Sequence, residues 1–487
     1  MNYYKYSTYA ILILFIFVST HIQVDDRGER KNPKPGNKNV GDYFLADIHV
    51  YRGNVILGRP SDHSITASVM MNVNADVRII YGVNSKLNSK TGSYKLVPGI
   101  PVEIVLKNLQ PDSLYQYRII DSKTSKPFLP ADNNGTFHTQ RPKGADFVFT
   151  VTADSHLDNG CLPELYETTL RNIQKSSQDF HIDLGDTFMT GKHESRASAE
   201  KQYIAQRYYF GFIGSSVPVF LALGNHDGEE ANKRKEQGSE NLAVWSCIQR
   251  KKYFPNPEPD EFYTGDLIKN PKAGLLQDYY SSEWGDALFV VLDPYWYSGD
   301  KKDGDNPWNM TIGKTQYDWL VKTLRKSDAK YKFIFIHQLM GGFDKNERGG
   351  IEVSNLYEWG GHEPNGEYTF AANRPGWEKP LHDLFKETGV TIVFHGHDHF
   401  FAQQERDGII YQLVPQPDHR NYKDHHSEEY GYKSGNFLPS SGHIKVHVSP
   451  EGVDVEYIRS ATPDMSEQGI RNGEIVFRYR YEKGKRE

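Results

Sequence analysis

Residues 390–399 read Val-Thr-Ile-Val-Phe-His-Gly-His-Asp-His. The first five have the apolar, β-branched character of a buried strand. Gly396-His397-Asp398-His399 follows at once, and two imidazoles at i and i+2 after such a strand are costly unless they bind something. Four further clusters share this construction. Asp154-Ser155-His156 follows FVFTVTA (147–153), and Gly185-Asp186 follows DFHIDL (179–184). Gly224-Asn225-His226-Asp227 follows VPVFLAL (217–223), and His337 closes KFIFI (332–336). Strands that end together at one sheet edge would deliver all these groups to one place. Two carboxylates, one amide oxygen and four imidazoles are enough ligands for two neighbouring divalent ions. A hydrolytic dinuclear metal centre is therefore the leading reading of the chain.

The clusters differ in specificity. Asp154 and His156 are two apart at a strand end, so both point to one face; alone, such a pair is common on solvated loops. Asp186 follows a glycine that permits a tight turn, where one carboxylate can bridge two cations. By itself Gly-Asp reads equally well as a helix N-cap. Asn225 can offer an amide oxygen to a metal without adding charge. That leaves His226 beside the substrate, with Asp227 expected to accept its N–H and fix the tautomer. A single histidine such as His337 is ordinarily structural; its place between the other clusters makes it a ligand candidate. His181, His362, His395, His425 and His426 lack partners at such spacing and read as structural or surface residues.

Composition is that of a globular protein: 487 residues, 37% hydrophobic and 13% aromatic, enough for two or three cores. A net charge of -6 argues against a general polyanion surface, so no nucleic-acid partner is expected. MNYYKYSTY followed by AILILFIFV (10–18) has signal-peptide form and is too short for a span of about 20 residues. An uncleaved anchor is the alternative. The expectation is a signal peptide over 1–24, a polar linker over 25–43, and a secreted, periplasmic or cell-surface body with no stable membrane span. Cys161 and Cys247 allow one disulfide or two buried thiols, but no disulfide framework.

Residues 44–141 look all-β. ITASVMMNV (65–73), DVRIIYGV (76–83), VEIVLKNL (102–109) and YQYRIID (115–121) are separated by turn residues. A small β-sandwich follows. LKNLQPDSLYQYRI (106–119) and GTFHTQRP (135–142) resemble the closing strands of fibronectin type III-like domains. From 147 to 449, apolar strands alternate with stretches of helical period, such as SAEKQYIAQRYYFGFI (198–213) and GKTQYDWLVKTLRKS (313–327). This argues for α/β architecture. Segments 228–276 and 338–375 are long irregular insertions of the kind that build functional walls. In and beside them, Arg348, Asn373 and Arg374 are candidate phosphate contacts and Trp359, Tyr368 and Trp377 candidate stacking surfaces, with loop packing as the alternative. Residues 450–487 read as strands that either complete the main sheets or form an edge hairpin.

The ordered series D-x-H, G-D, G-N-H-D, H and G-H-x-H, from Phe147 to about Val448, resembles the calcineurin-like metallophosphoesterase superfamily. With a fibronectin-like domain ahead of it, the layout is similar to that of purple acid phosphatases. The resemblance implies two packed β-sheets flanked by helices, a four-layer sandwich. It also implies two divalent or trivalent ions drawn from Mn, Fe or Zn. Asp154, His156, Asp186 and His399 would hold the first; Asp186 would bridge to the second, completed by Asn225, His337 and His397. His226, backed by Asp227, would be the proton donor or charge stabiliser at the leaving oxygen. Purple acid phosphatases carry a metal-binding tyrosine three residues after the bridging aspartate. Met189 stands there, so no purple colour is expected. The implied activity is hydrolysis of a small phosphate monoester by a bridging hydroxide. The alternatives are a phosphodiesterase acting on nucleotide or lipid-headgroup diesters, and a non-catalytic surface-binding protein.

Overall fold

The computed structural model describes residues 48–483, apart from 85, 130–134, 159, 231–240, 300–305, 341–347, 421–424 and 467–468. The expected leader (1–24) and linker (25–43) lie outside the described residues. Among those described, no helix is long and apolar enough to cross a membrane.

The first strands form two antiparallel sheets. Gly53–Gly58, Ser64–Met71 and Val102–Lys107 make one; Ala75–Val83, Leu114–Asp121 and Gly135–His138 make the body of the other. In Val102–Lys107 the alternation is plain, with Ile104 and Leu106 buried and Glu103 and Lys107 exposed. Val55, Ile65 and Val69 of one sheet meet Ile79, Tyr117 and Phe137 of the other in a single core, which is face-to-face sandwich packing.

The larger part is a mixed α/β structure built on two more sheets. One has six strands in the spatial order Val219–Leu221, Phe180–Asp183, Phe147–Thr152, Gly442–Val448, Val453–Arg459 and Ile475–Tyr481. The tail strands therefore extend this sheet. The other has eight strands, with Ala287–Val291, Tyr331–Phe335, Ile392–His395 and Ile409–Leu413 parallel at its centre. Phenylalanines fill the space between the sheets: Phe149 meets Phe289 edge-on at 5.2 Å and Phe394 at 6.0 Å. Helices Pro163–Gln174 and Arg196–Gly214 cover the outer face of the first sheet. Helices Lys314–Lys326 and Leu381–Thr388 cover that of the second. Their boundaries follow local chemistry. Ser195 caps one helix by accepting the Ser198 N–H, and Gly389 ends another at φ +72°.

Register matters most for function. Thr152, Asp183 and Leu221 are paired neighbours at the ends of three parallel strands. Val291, Phe335 and Phe394 are the equivalent row in the other sheet. Each chemical cluster begins within three residues of such a row, so all of them leave the fold at one edge. The β-sandwich is fastened to this body through Arg207, which is fully buried. Its guanidinium donates to Asn54 Oδ1 (3.0 Å), Ser68 Oγ (3.0 Å), the Ser68 carbonyl (2.7 Å) and the Tyr253 carbonyl.

Candidate metal centre

Two groups of side chains put their ligand atoms within 4.8 Å of one another: Asp154 with His156 and His399, and Asp186 with His337 and His397. The groups adjoin. His156 Nε2 lies 3.8 Å from Asp154 Oδ1 and 3.6 Å from Asp186 Oδ2. His337 Nε2 lies 3.8 and 3.6 Å from the same two atoms. His399 Nε2 is 3.6 Å from Asp154 Oδ1, and Asn225 Oδ1 is 3.1 Å from His337 Nε2. All seven residues nominated by the sequence thus converge.

Local backbone explains how. Asp154, Asp186, His397 and His399 all have positive φ, between 54° and 78°. Side-chain-bearing residues reach that region only at a cost of order 1 kcal/mol or more each. Four such residues at one site mark strain held for a purpose. Gly224 and Gly185 let two of the loops touch: a Cβ on Gly224 would lie 2.0 Å from the Asp186 nitrogen.

The donor atoms are the ones left unsatisfied. Asp154 Oδ1, His156 Nε2 and His397 Nδ1 are buried without a hydrogen-bond partner. Buried polar atoms are normally paired, and leaving one bare costs about 1–3 kcal/mol. A cation held among them would be that partner, and this oxygen and nitrogen donor set is of the kind that binds one. The opposite nitrogens are tied back: His337 Nδ1 donates to the Leu184 carbonyl at 2.9 Å, and His156 Nδ1 is 3.5 Å from Asp158 Oδ2. Burial alone would lower the pKa of His156. The carboxylates of Asp154, Asp158 and Asp186 outweigh it and hold that imidazole well above its ordinary range. His337 is raised in the same way against burial, by Asp186 and Asp154. Burial opposes ionisation of Asp154 and Asp186 too, yet the surrounding imidazoles carry both carboxyls below the usual range.

His226 is half-buried, and its backbone N–H donates to Asp186 Oδ1 at 2.7 Å. Burial, helped by Lys192, lowers its pKa to about 4 although Asp186 pulls it up. The expectation that Asp227 would accept the His226 ring N–H is corrected here. Asp227 Oδ1 accepts the N–H groups of Thr187 (2.9 Å) and Phe188 (2.7 Å), and Oδ2 those of Asp186 (3.1 Å) and Gly224 (2.8 Å). Buried turn amides need an acceptor, and one carboxylate satisfies four of them. Asp227 therefore clamps the Gly185-Asp186 turn to the Gly224-Asn225 turn. Burial and the neighbouring Asp186 push its pKa up to about 7, against those N–H bonds.

Several supports escaped the sequence reading. Gln202 and Gln206, one turn apart on helix Arg196–Gly214, donate to the carbonyls of His156, Ser155 and Thr187. Gln416 donates to the Asp154 carbonyl at 2.8 Å. Asp158 had a visible signal, since it extends the Asp154, His156 spacing by two. The insertion residues mostly pack. Trp359 is fully buried and donates to the Tyr411 hydroxyl, Trp377 stacks on Tyr317 at 4.0 Å, and Arg374 holds Glu358 and the Trp308 carbonyl. Asn373 bonds back to Thr369, whereas Tyr368 is exposed. Arg348 donates to the His397 carbonyl (3.2 Å) with its guanidinium 3.0 Å from Asp398, so it steadies the ligand loop. Cys161 and Cys247 are separate, buried free thiols.

Comparison with known proteins agrees with this geometry. A family model for calcineurin-like phosphoesterases matches residues 147–401, just over half of the chain. Among solved structures, PhoD superposes with a TM-score of 0.60 at 15% identity, covering 87% of this chain and 88% of its own. The purple acid phosphatase PPD1 from yellow lupin (Lupinus luteus) seeds superposes at 0.52 and 14%, covering 89% and 74%. Both likenesses show the shared fold. Comparison with curated proteins gave no match. With the ligand groups gathered on that fold, the chain belongs to the calcineurin-like phosphoesterases and is a metal-dependent hydrolase.

Proposed function

We propose that the protein hydrolyses small phosphate monoesters through two ions held by Asp154, His156, Asp186 and His399 on one side and Asp186, Asn225, His337 and His397 on the other. The observation that carries this reading is the set of buried, unpartnered donor atoms on Asp154, His156 and His397, which face one another across Asp186. Two bound cations in such a centre acidify water and offset phosphate charge during attack. The chain's own residues do the rest. Asp186, clamped by Asp227, fixes the spacing of the two halves. His226 is neutral near pH 7 and offers a ring N–H where charge develops on the leaving oxygen, a contribution of about 10²–10⁴-fold for groups in this role. Arg348 and Asp158 hold the histidine ligands in orientation.

Residues 44–141 are assigned as a fibronectin type III-like sandwich, 147–449 as the catalytic domain and 450–487 as strands completing it. Residues 1–24 are assigned as a signal peptide that sends the enzyme out of the cytoplasm. Supporting the monoester preference is the phosphatase-like order of sandwich followed by catalytic domain. Turnover of an aryl phosphate monoester and the matching diester, with Mn, Zn or Fe added to chelated protein, tests the assignment. Activity that survives complete metal removal ends it, and faster diester cleavage moves the substrate class to diesters. Sequencing the amino terminus of the exported protein tests the leader.

A further inference from the structure

Leu267 and Ile268 stand side by side at 76% and 49% exposed, in the hairpin that follows the strand Thr264–Gly265. Lys269, Pro271 and Lys272 beside them are exposed as well. No acidic residue occurs between Leu267 and Leu276. The hairpin is tied down by hydrogen bonds to its own turns and to the neighbouring helix. The Asp266 carboxylate accepts the Ile268 N–H at 2.8 Å, and Asn270 Oδ1 accepts those of Lys272 (2.9 Å) and Ala273 (3.1 Å). Lys251 Nζ binds the Ala273 carbonyl at 2.7 Å, and Ala273 and Leu276 pack on Cys247 and Trp296. One turn before Lys251, Ile248 is 40% exposed. A tightly held loop that nevertheless presents adjacent Leu and Ile side chains to water gains nothing for the fold from doing so.

Position adds to composition. Gly265 pairs with Tyr280, Tyr280 with Val291, and Val291 with Phe335, two residues before His337. The hairpin therefore leaves the sheet at the same edge as the metal ligands. We propose that it seats the protein on an anionic bilayer, with Leu267 and Ile268 entering the boundary between headgroups and acyl chains and Lys269 and Lys272 meeting lipid phosphates. Apolar insertion and lysine attraction act together on such a surface. A purely ionic contact would have no use for the Leu-Ile pair. A purely apolar protein contact would have none for the lysines. Docked this way, the sheet edge that carries the metal centre faces the headgroup layer.

The test is sedimentation of the full chain with phosphatidylcholine vesicles, with and without a phosphatidylglycerol fraction. Binding to the anionic vesicles that weakens with salt is expected. The variant Leu267→Asp/Ile268→Asp is expected to lose at least about tenfold in bound fraction, with turnover of a soluble aryl phosphate unchanged. If aspartates impair folding, Leu267→Ser/Ile268→Ser carries the same expectation. Lys269→Glu/Lys272→Glu is expected to weaken binding at low salt. Wild-type protein that stays in solution, or a Leu267/Ile268 variant that sediments like wild type, overturns the proposal. So does a variant whose only change is conversion from dimer to monomer, which would make the patch a contact between copies. Because vesicle binding is read without turnover, its failure is distinct from failure of the hydrolytic reading.

Discussion

The Nδ1 of His337 donates its proton to the carbonyl oxygen of Leu184 at 2.9 Å. That bond turns Nε2 the other way, toward Asn225 Oδ1 at 3.1 Å and the carboxylates of Asp186 and Asp154. The sheet edge itself thus fixes the ring orientation that a ligand needs, with Nδ1 engaged and Nε2 aimed at the centre. Replacing His337 with Gln, which fits the pocket but offers no comparable donor, is expected to weaken metal affinity by at least about tenfold. Metal titration of chelated protein with elemental analysis checks this.

Asp186 and His226 separate binding from chemistry. Asp186→Ala is expected to lose both ions and all turnover, because its carboxylate adjoins both halves of the centre. His226→Ala keeps the metal content and loses about 10²–10⁴-fold in kcat. A metal-replete Asp186→Ala protein with full activity would contradict the assignment.

Metal binding is expected to release protons. The pKa values of His156 and His337 are raised by the carboxylates that would share the ions. Below those values protons compete with metal, so affinity rises with pH and is lost toward acid. Calorimetric titration in buffers of different ionisation enthalpy measures the released protons, and a count of zero refutes the linkage.

Acid should unfold the protein early. Burial drops the pKa of His181 and His443 to about 3 each. In the unfolded chain both titrate near 6.5. Between those values only the unfolded state takes up the protons, so stability declines as pH falls from about 6.5 toward 3. Each group contributes a slope of up to about 1.4 kcal/mol per pH unit. His443, with neither ring nitrogen bonded, is the cleaner probe. His443→Leu is expected to flatten the dependence of Tm on pH.

Arg207→Met removes the guanidinium that joins Asn54 and Ser68 of the sandwich to the Tyr253 carbonyl. Several buried acceptors lose their donor, and a loss of about 3 kcal/mol is expected. A lowered Tm with unchanged metal affinity at low temperature would place the effect at this junction.

The ligand set was legible because each ligand sits one to five residues beyond a run that reads as a buried strand. Parallel register does the gathering once those strands pair. Asp154, His156, Asp186, Asn225, His337, His397 and His399 are local consequences of that pattern. Asp227 shows where such reasoning stops. Its neighbour in sequence is His226, but its partners are four backbone amides from two turns, and only the packing of those turns leaves the amides in need. Gln202 and Gln206 were silent for the same reason, since what they hold lies tens of residues away.

Local chemistry in the chain was enough to establish the strand ends, the order of the clusters and the kind of atoms available to a cation. Which way each side chain turns was decided by the folded structure. Orientation depends on which distant amides, carbonyls and carboxylates are left unsatisfied when the two sheets close on each other, and no spacing along the chain records that.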